Sequence, residues 1–194
     1  MIPSTPAKER HGIEVNWFTF IIGIAALATL SATQLSNYLL FHSLVSFFGI
    51  AVAIGIFIVA WNCRDLAKDA FLLFLGMGYL GLAVMDVLHV LAHKGMGVFP
   101  EPSEDLSTQL WISARYVAGS TLLLAPFFLR SPPRPRLYLS ITIGFILALL
   151  STLFIRPVFP TCLIDGQATL FKKMSEVVIC MLSAGAIITY SRNR

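Results

Sequence analysis

Hydrophobic positions in this chain fall in long runs, and charged positions gather at the ends of those runs. Six apolar segments can be marked, at about 17–35, 38–61, 70–93, 110–129, 137–155 and 174–190, each bounded by charge or by Pro and Gly. Most reach the ~20 residues that a helix needs to cross a hydrocarbon core about 30 Å thick. The last is the shortest and the weakest candidate. A barrel strand would need only about 10 residues of alternating character, and in lipid only helices or closed barrels satisfy every backbone group. The pattern predicts an all-α fold, a polytopic membrane helical bundle of about six transmembrane helices.

Composition agrees with the pattern. Of 194 residues, 57% are hydrophobic and 12% are charged, about half the charged share of soluble domains. The distribution of Lys and Arg then sets the orientation. An even number of helices places both termini on one side. That side collects Lys8, Arg10, Arg64, Lys68, Arg130, Arg134, Arg136, Arg192 and Arg194. The other side holds Lys94, Arg156, Lys172 and Lys173, diluted by Glu101, Glu104, Asp105 and Asp165. Nine against four places both termini in the cytoplasm. The net charge of +4 reflects this topology rather than a nucleic-acid partner. The first segment contains Ala26-Leu-Ala28, which looks like a secretory cleavage site, but the long region before it carries Glu9 and Glu14, against the usual signal pattern.

The connections differ in length. The inner loops at 62–69 and 130–136 are short, and Pro132, Pro133 and Pro135 forbid helix through the second. The outer connections at 94–109 and 156–173 are longer. Gly95 and Gly97 are placed to end the third helix, Ser107 to cap the fourth, and Trp111 to sit at interfacial depth. No internal repeat of the transporter kind is visible. Three cysteines, Cys63 in an inner loop, Cys162 in an outer loop and Cys180 in the sixth helix, supply no disulfide framework.

The candidate chemistry lies in polar residues in the outer halves of helices. Asp86, His89 and His93 are three and four residues apart in the third segment, so they share one helix face. His42 in the second, Arg115 in the fourth and Glu176 in the sixth fall in the same leaflet, because helix direction alternates. Ionisable side chains in a bilayer are costly and by default mark a function or a buried partner. Three readings stay open. Arg115 pairs with Asp86 or Glu176 and the histidines bond across helices, so that the network only fixes packing. Alternatively, the cluster forms a pocket for a small polar or amphipathic ligand, with Arg115 as an anion fork. Or His42, His89 and His93 bind a metal ion or haem. Gly49, Gly55, Gly76, Gly78, Gly81 and Gly119 read as close helix contacts, and Met77, Met85 and Met96 as gap fillers. No phosphate loop, zinc signature, nucleophile elbow or paired catalytic carboxylates occur. The chain is expected not to be an enzyme.

Several blocks together carry a family likeness. They are Leu40-Phe-His42-Ser-Leu-Val-Ser-Phe, Gly55-Ile-Phe-Ile-Val-Ala-Trp61-Asn, Asp86-Val-Leu-His89-Val-Leu-Ala-His93-Lys-Gly-Met-Gly-Val-Phe99, Thr108-Gln-Leu-Trp111-Ile-Ser-Ala-Arg115-Tyr, and Pro160-Thr-Cys162-Leu-Ile-Asp-Gly166 with Phe171-Lys-Lys-Met-Ser-Glu176. Their order resembles the third class of bacterial membrane-associated sensor domains, the MASE type, over about residues 38–190. The resemblance implies a multi-pass sensory input module of the bacterial inner membrane, in contact with the lipid bilayer and ahead of a cytoplasmic histidine kinase or diguanylate cyclase output. It leaves the signal and any cofactor open, and the module is expected to be oligomeric in its full-length setting, a homodimer being one such assembly. His42, Asp86, His89, His93, Trp111, Arg115, Cys162, Lys172 and Glu176 lie within the matching blocks, and all of them except Cys162 are the expected ligand-binding or signal-sensing positions. The expected organisation is a cytoplasmic tail at 1–16, a membrane sensor domain at 17–190, and a cytoplasmic end at 191–194. Domains of this type continue into further helices and an output, so the chain is expected to be truncated there or to act with a separate partner.

Overall fold

The computed structural model describes residues 17–99, 104–156 and 158–192, and most of them are helical. The tail at 1–16 with Lys8 and Arg10, the acidic Glu101, and Arg194 lie outside the described residues. Six α-helices follow in order: α1 (Trp17–Ser36), α2 (Tyr38–Asn62), α3 (Phe71–Ala92), α4 (Glu104–Leu124), α5 (Pro135–Leu150) and α6 (Leu170–Arg192). Four helical stretches are long and apolar enough to cross a membrane: Tyr38–Asn62, Phe71–Ala92, Pro135–Ile155 and Leu170–Arg192. α1 is a 20-residue helix without a charged residue, whereas α4 carries Glu104, Asp105 and Arg115. The molecule is an all-α membrane helical bundle.

Helix ends follow from local chemistry. Asn37 separates α1 from α2, its Oδ1 accepting the Leu40 amide at 3.1 Å as an N-cap does. Asp69 likewise accepts the Phe71 amide at 3.0 Å where α3 begins. α4 starts at Glu104 rather than near 110, with Glu104 and Asp105 in its first turn, where carboxylates suit the positive end of the helix dipole. Ser107 is therefore inside α4 and not its cap. Near Pro126, which has no amide hydrogen to donate, α4 tightens into the 3-10 turn Ala125–Phe128. α6 starts at Leu170 rather than near 174, because the Thr169 hydroxyl accepts the Lys172 amide at 3.3 Å. The segment expected to be shortest is thus a 23-residue helix.

One element is not helical. Leu163–Ile164 and Gln167–Ala168 pair as a two-stranded antiparallel hairpin in the α5–α6 connection. Its two turn residues, Asp165 and Gly166, have φ of 51° and 76°, as a tight two-residue hairpin turn demands.

The chain divides into two compact units, residues 1–42 and 43–194. The first holds α1 and the first turn of α2. The second holds the rest of α2 and α3 to α6. Within the second unit α3 is central, packed mainly against α4 and also against α5, while α6 packs on α4. Leu73, Met77, Met85 and Val90 of α3 and Leu110, Ile112 and Ala114 of α4 are buried. Lipid is as apolar as these side chains, so close fit rather than exclusion of water holds such helices together. Gly76 meets Ala60 and the Phe57 backbone of α2, and Gly78 meets the Thr121 side chain of α4. Gly49 and Gly55 have open space where a side chain would stand, so the packing role expected of them is not theirs.

Candidate functional site

Two polar links join α3 to α4. Asp86 and His89 lie one turn apart on α3, each only 8% exposed. Arg115 enters from α4 and sets its Nη2 between the two carboxylate oxygens of Asp86, at 2.7 Å and 2.6 Å. Of the two partners that the sequence left open for Arg115, the structure selects Asp86. Glu176 instead faces Lys172 one turn earlier on α6, at 3.7 Å. The Arg115 guanidinium carbon lies 6.0 Å from the Trp111 ring centre, at the outer limit of a cation–π contact. Its Nε is buried and has no acceptor among the described residues, so the fork keeps a donor in reserve.

The second link is His89 with Ser107. The imidazole Nδ1 is 2.8 Å from the Ser107 carbonyl oxygen and 3.1 Å from its hydroxyl. The Ser107 hydroxyl lies 3.3 Å from the His89 carbonyl oxygen, to which it can donate. A carbonyl can only accept, so Nδ1 carries the hydrogen and Nε2 is the nitrogen whose protonation can change. Because the helix begins early, Ser107 stands one turn inside α4 and faces α3.

His93 is at the C-terminal cap of α3, with its Nδ1 3.0 Å from the Lys94 carbonyl oxygen. Gly95 and Gly97, with φ of 99° and 66°, then turn the chain. Lys94 pairs with Glu104 at 3.1 Å, which ties that turn to the start of α4. His42 ends the first unit, its ring stacked on Tyr38 at a centroid distance of 6.1 Å.

A third group in this region takes part in structure that the sequence reading did not foresee. Asp105 Oδ1 accepts the amides of Cys162 and Leu163 at 2.6 Å and 2.7 Å. Gln109 donates to Asp105 Oδ2 at 3.0 Å and reaches the Pro160 carbonyl at 3.3 Å. α4 therefore clamps the α5–α6 connection through residues four apart on one helix face. Asp105 had counted only as an acidic residue diluting the outer loops. Cys162 is buried inside the clamp, and burial, with Asp105 beside it and Lys172 opposing, pushes its thiol up to about 11. Cys63, Cys162 and Cys180 are all free thiols.

Among the described residues, no group of three or more His, Cys, Asp or Glu side chains is arranged to hold a metal ion. The expected His42, His89 and His93 set thus gains no support from the geometry. The polar centre is instead the paired Asp86–Arg115 and His89–Ser107 links between two helices.

No curated protein and no solved structure matches the chain. A family model does, that of MASE3, the membrane-associated sensor domain, over residues 33–194. The match takes in α2 to α6, with both α3–α4 links and the clamp, and the chain belongs to the MASE3 family of membrane-associated sensor domains.

Proposed function

We propose that the chain is the sensory input module of a bacterial inner-membrane signalling protein, both termini cytoplasmic, which relays its state to a histidine kinase or diguanylate cyclase output without doing chemistry itself. Residues 17–190 form the sensing domain, and it works as a homodimer. The sensing positions are those of the matching blocks, His42, Asp86, His89, His93, Trp111, Arg115, Lys172 and Glu176, with Asp86, His89 and Arg115 at the centre.

The observation that carries this reading is the Asp86–Arg115 pair between α3 and α4, in which Asp86 is buried and Arg115 partly buried. An ion pair away from water is held by its partners and is strongly disturbed when one partner is neutralised or drawn away. Arg115 retains a buried Nε donor, so an anion or a polar ligand can compete for the guanidinium. Either event changes how α3 and α4 fit, and through α4 it reaches α6, which packs on α4. A signal acts only if it favours one of the two arrangements over the other.

The test is output activity in membranes that contain the domain with its kinase or cyclase. Asp86→Asn removes the charge and keeps the shape, so basal output is expected to shift and the response to stimulus to weaken. Output and response identical to wild type in Asp86→Asn and in Arg115→Lys would contradict the relay.

A further inference from the structure

Between α3, α4 and α5 lies a cavity of about 470 Å³ whose lining includes neither Asp86 nor Arg115. It owes its room to small residues. Gly81 of α3 lines it, and a side-chain carbon there would stand at an ordinary 3.5 Å from Val117 and Ile146. Ser120 of α4 lines it too. One end is formed by Phe74 and Tyr138, which pack edge to face at 6.5 Å. The volume lies within the ~300–1,000 Å³ of ordinary small-molecule sites.

Two features of the wall restrict what fits. None of the described residues lining it is charged. A charged ligand would lose its hydration without a counter-charge, at a cost of several kcal/mol or more. The polar side chains are hydroxyls from α4 and α5: Ser113, whose hydroxyl is already given to the Gln109 carbonyl, and Tyr116, Ser120, Thr121, Tyr138 and Thr142. Ser120 and Thr142 make no side-chain hydrogen bond among the described residues, and nor do Tyr116 and Tyr138. Hydroxyl groups donate readily to a carbonyl oxygen, which has two lone pairs to accept them.

Access completes the argument. Ile141 and Phe145 line the cavity from α5 and are also 57% and 55% exposed. They sit in the middle of a span-length apolar helix. The opening therefore faces hydrocarbon rather than water, and an occupant arrives sideways from the membrane.

We propose that this cavity binds the uncharged, carbonyl-bearing part of a membrane-dissolved lipophile, with its apolar body between α3 and α5, its carbonyl on the hydroxyls and any charged headgroup left outside. Two sources share that chemistry: the acyl ester of a bilayer lipid and a free quinone. The inference goes beyond the sensor reading, since occupancy of the cavity stands or falls independently of any output.

The experiment uses the 194-residue chain in phosphatidylcholine nanodiscs with two photoreactive probes, a diazirine-tailed phosphatidylcholine and a diazirine-tailed benzoquinone. Labelled peptides are mapped by mass spectrometry. Peptides holding Tyr116 and Tyr138 are expected to be labelled at least five-fold above the lipid-exposed run of α1. Ser120→Leu and, separately, Gly81→Leu fill the space and should cut that excess several-fold, with helicity and elution volume retained as the check on folding. Displacement of the label by unlabelled decylbenzoquinone assigns a quinone; phosphatidylcholine labelling that resists this competitor assigns the acyl ester. Labelling no higher in the cavity peptides than in α1 for both probes overturns the proposal. So does an excess that survives both folded variants.

Discussion

α3 (Phe71–Ala92) and the helical stretch Pro135–Ile155 that contains α5 are comparably apolar and of similar length, yet 44% of the most apolar part of the first is buried inside the protein against 11% for the second. In water such similarity would send both helices to the core. In lipid apolarity confers no preference for protein over solvent, and the helix that becomes central is the one with small and polar residues to place. α3 has Gly76 and Gly78, which admit α2 and α4, and Asp86 and His89, which require partners. α5 has Gly144 with nothing within 4 Å of where a side chain would stand, and Phe145 and Leu147 turned outward.

That contrast can be broken by mutation, and the largest effect should fall on charge. Arg115→Met leaves Asp86 buried and unpaired, a loss on the order of 3 kcal/mol, read as a lower unfolding midpoint in detergent. Phe145→Ala on the outward face of α5 is expected to cost well under ~1 kcal/mol. Equal costs would erase the distinction between the helices. Packing comes next. Gly76→Val forces a branched side chain into Ala60 and should destabilise by about 1–3 kcal/mol. Gly144→Ala meets open space and should be neutral or slightly stabilising, since Ala favours helix over Gly by up to ~1 kcal/mol. The same assay reads both.

The clamp supplies effects no larger than these. Asp105→Ala leaves the Cys162 and Leu163 amides without their acceptor, for about 1–3 kcal/mol, and should speed hydrogen exchange at those two amides more than elsewhere in the chain. Cys162 sharpens the point through pH. Its thiol is raised from 9.0 to about 11 in the folded chain, so the folded state holds this proton more tightly than the unfolded state does. The resulting stabilisation is fully present below pH 9 and is lost as pH rises toward 11. Alkylation at pH 8 should therefore be slow at Cys162 and faster at the half-buried Cys63. Asp105→Asn removes a charge that raises the thiol and should quicken Cys162 alkylation a few-fold. No change in rate would mean that burial alone protects it.

Much of the fold was legible because lipid imposes length and apolarity together. The limits of α2, α3 and α5 could be read from Asn37, Asp69, Gly95 and Pro135, which interrupt apolar runs. The starts of α4 and α6 could not, because their first turns are polar and hydropathy treats a capped polar turn as loop. The hairpin was signalled only by Asp165-Gly166, a pair that tight turns favour, because strands of two residues each are too short to show an alternating pattern. Within the site, Asp86 and Arg115 stood out as charge inside an apolar run, while Glu176 at matching depth left the partner of Arg115 open between the two carboxylates. Ser107 and Asp105 were hidden for one reason: each was assigned to a loop that is in fact helix.

The most direct test is a double-mutant cycle on Asp86→Asn and Arg115→Gln, with unfolding free energies measured in bilayers. If the pair is the centre of the α3–α4 interface, the coupling should reach ~1 kcal/mol or more, with the double variant more stable than Arg115→Gln alone. Additive losses, with coupling near zero, would contradict the account and leave the two charges as independent neighbours.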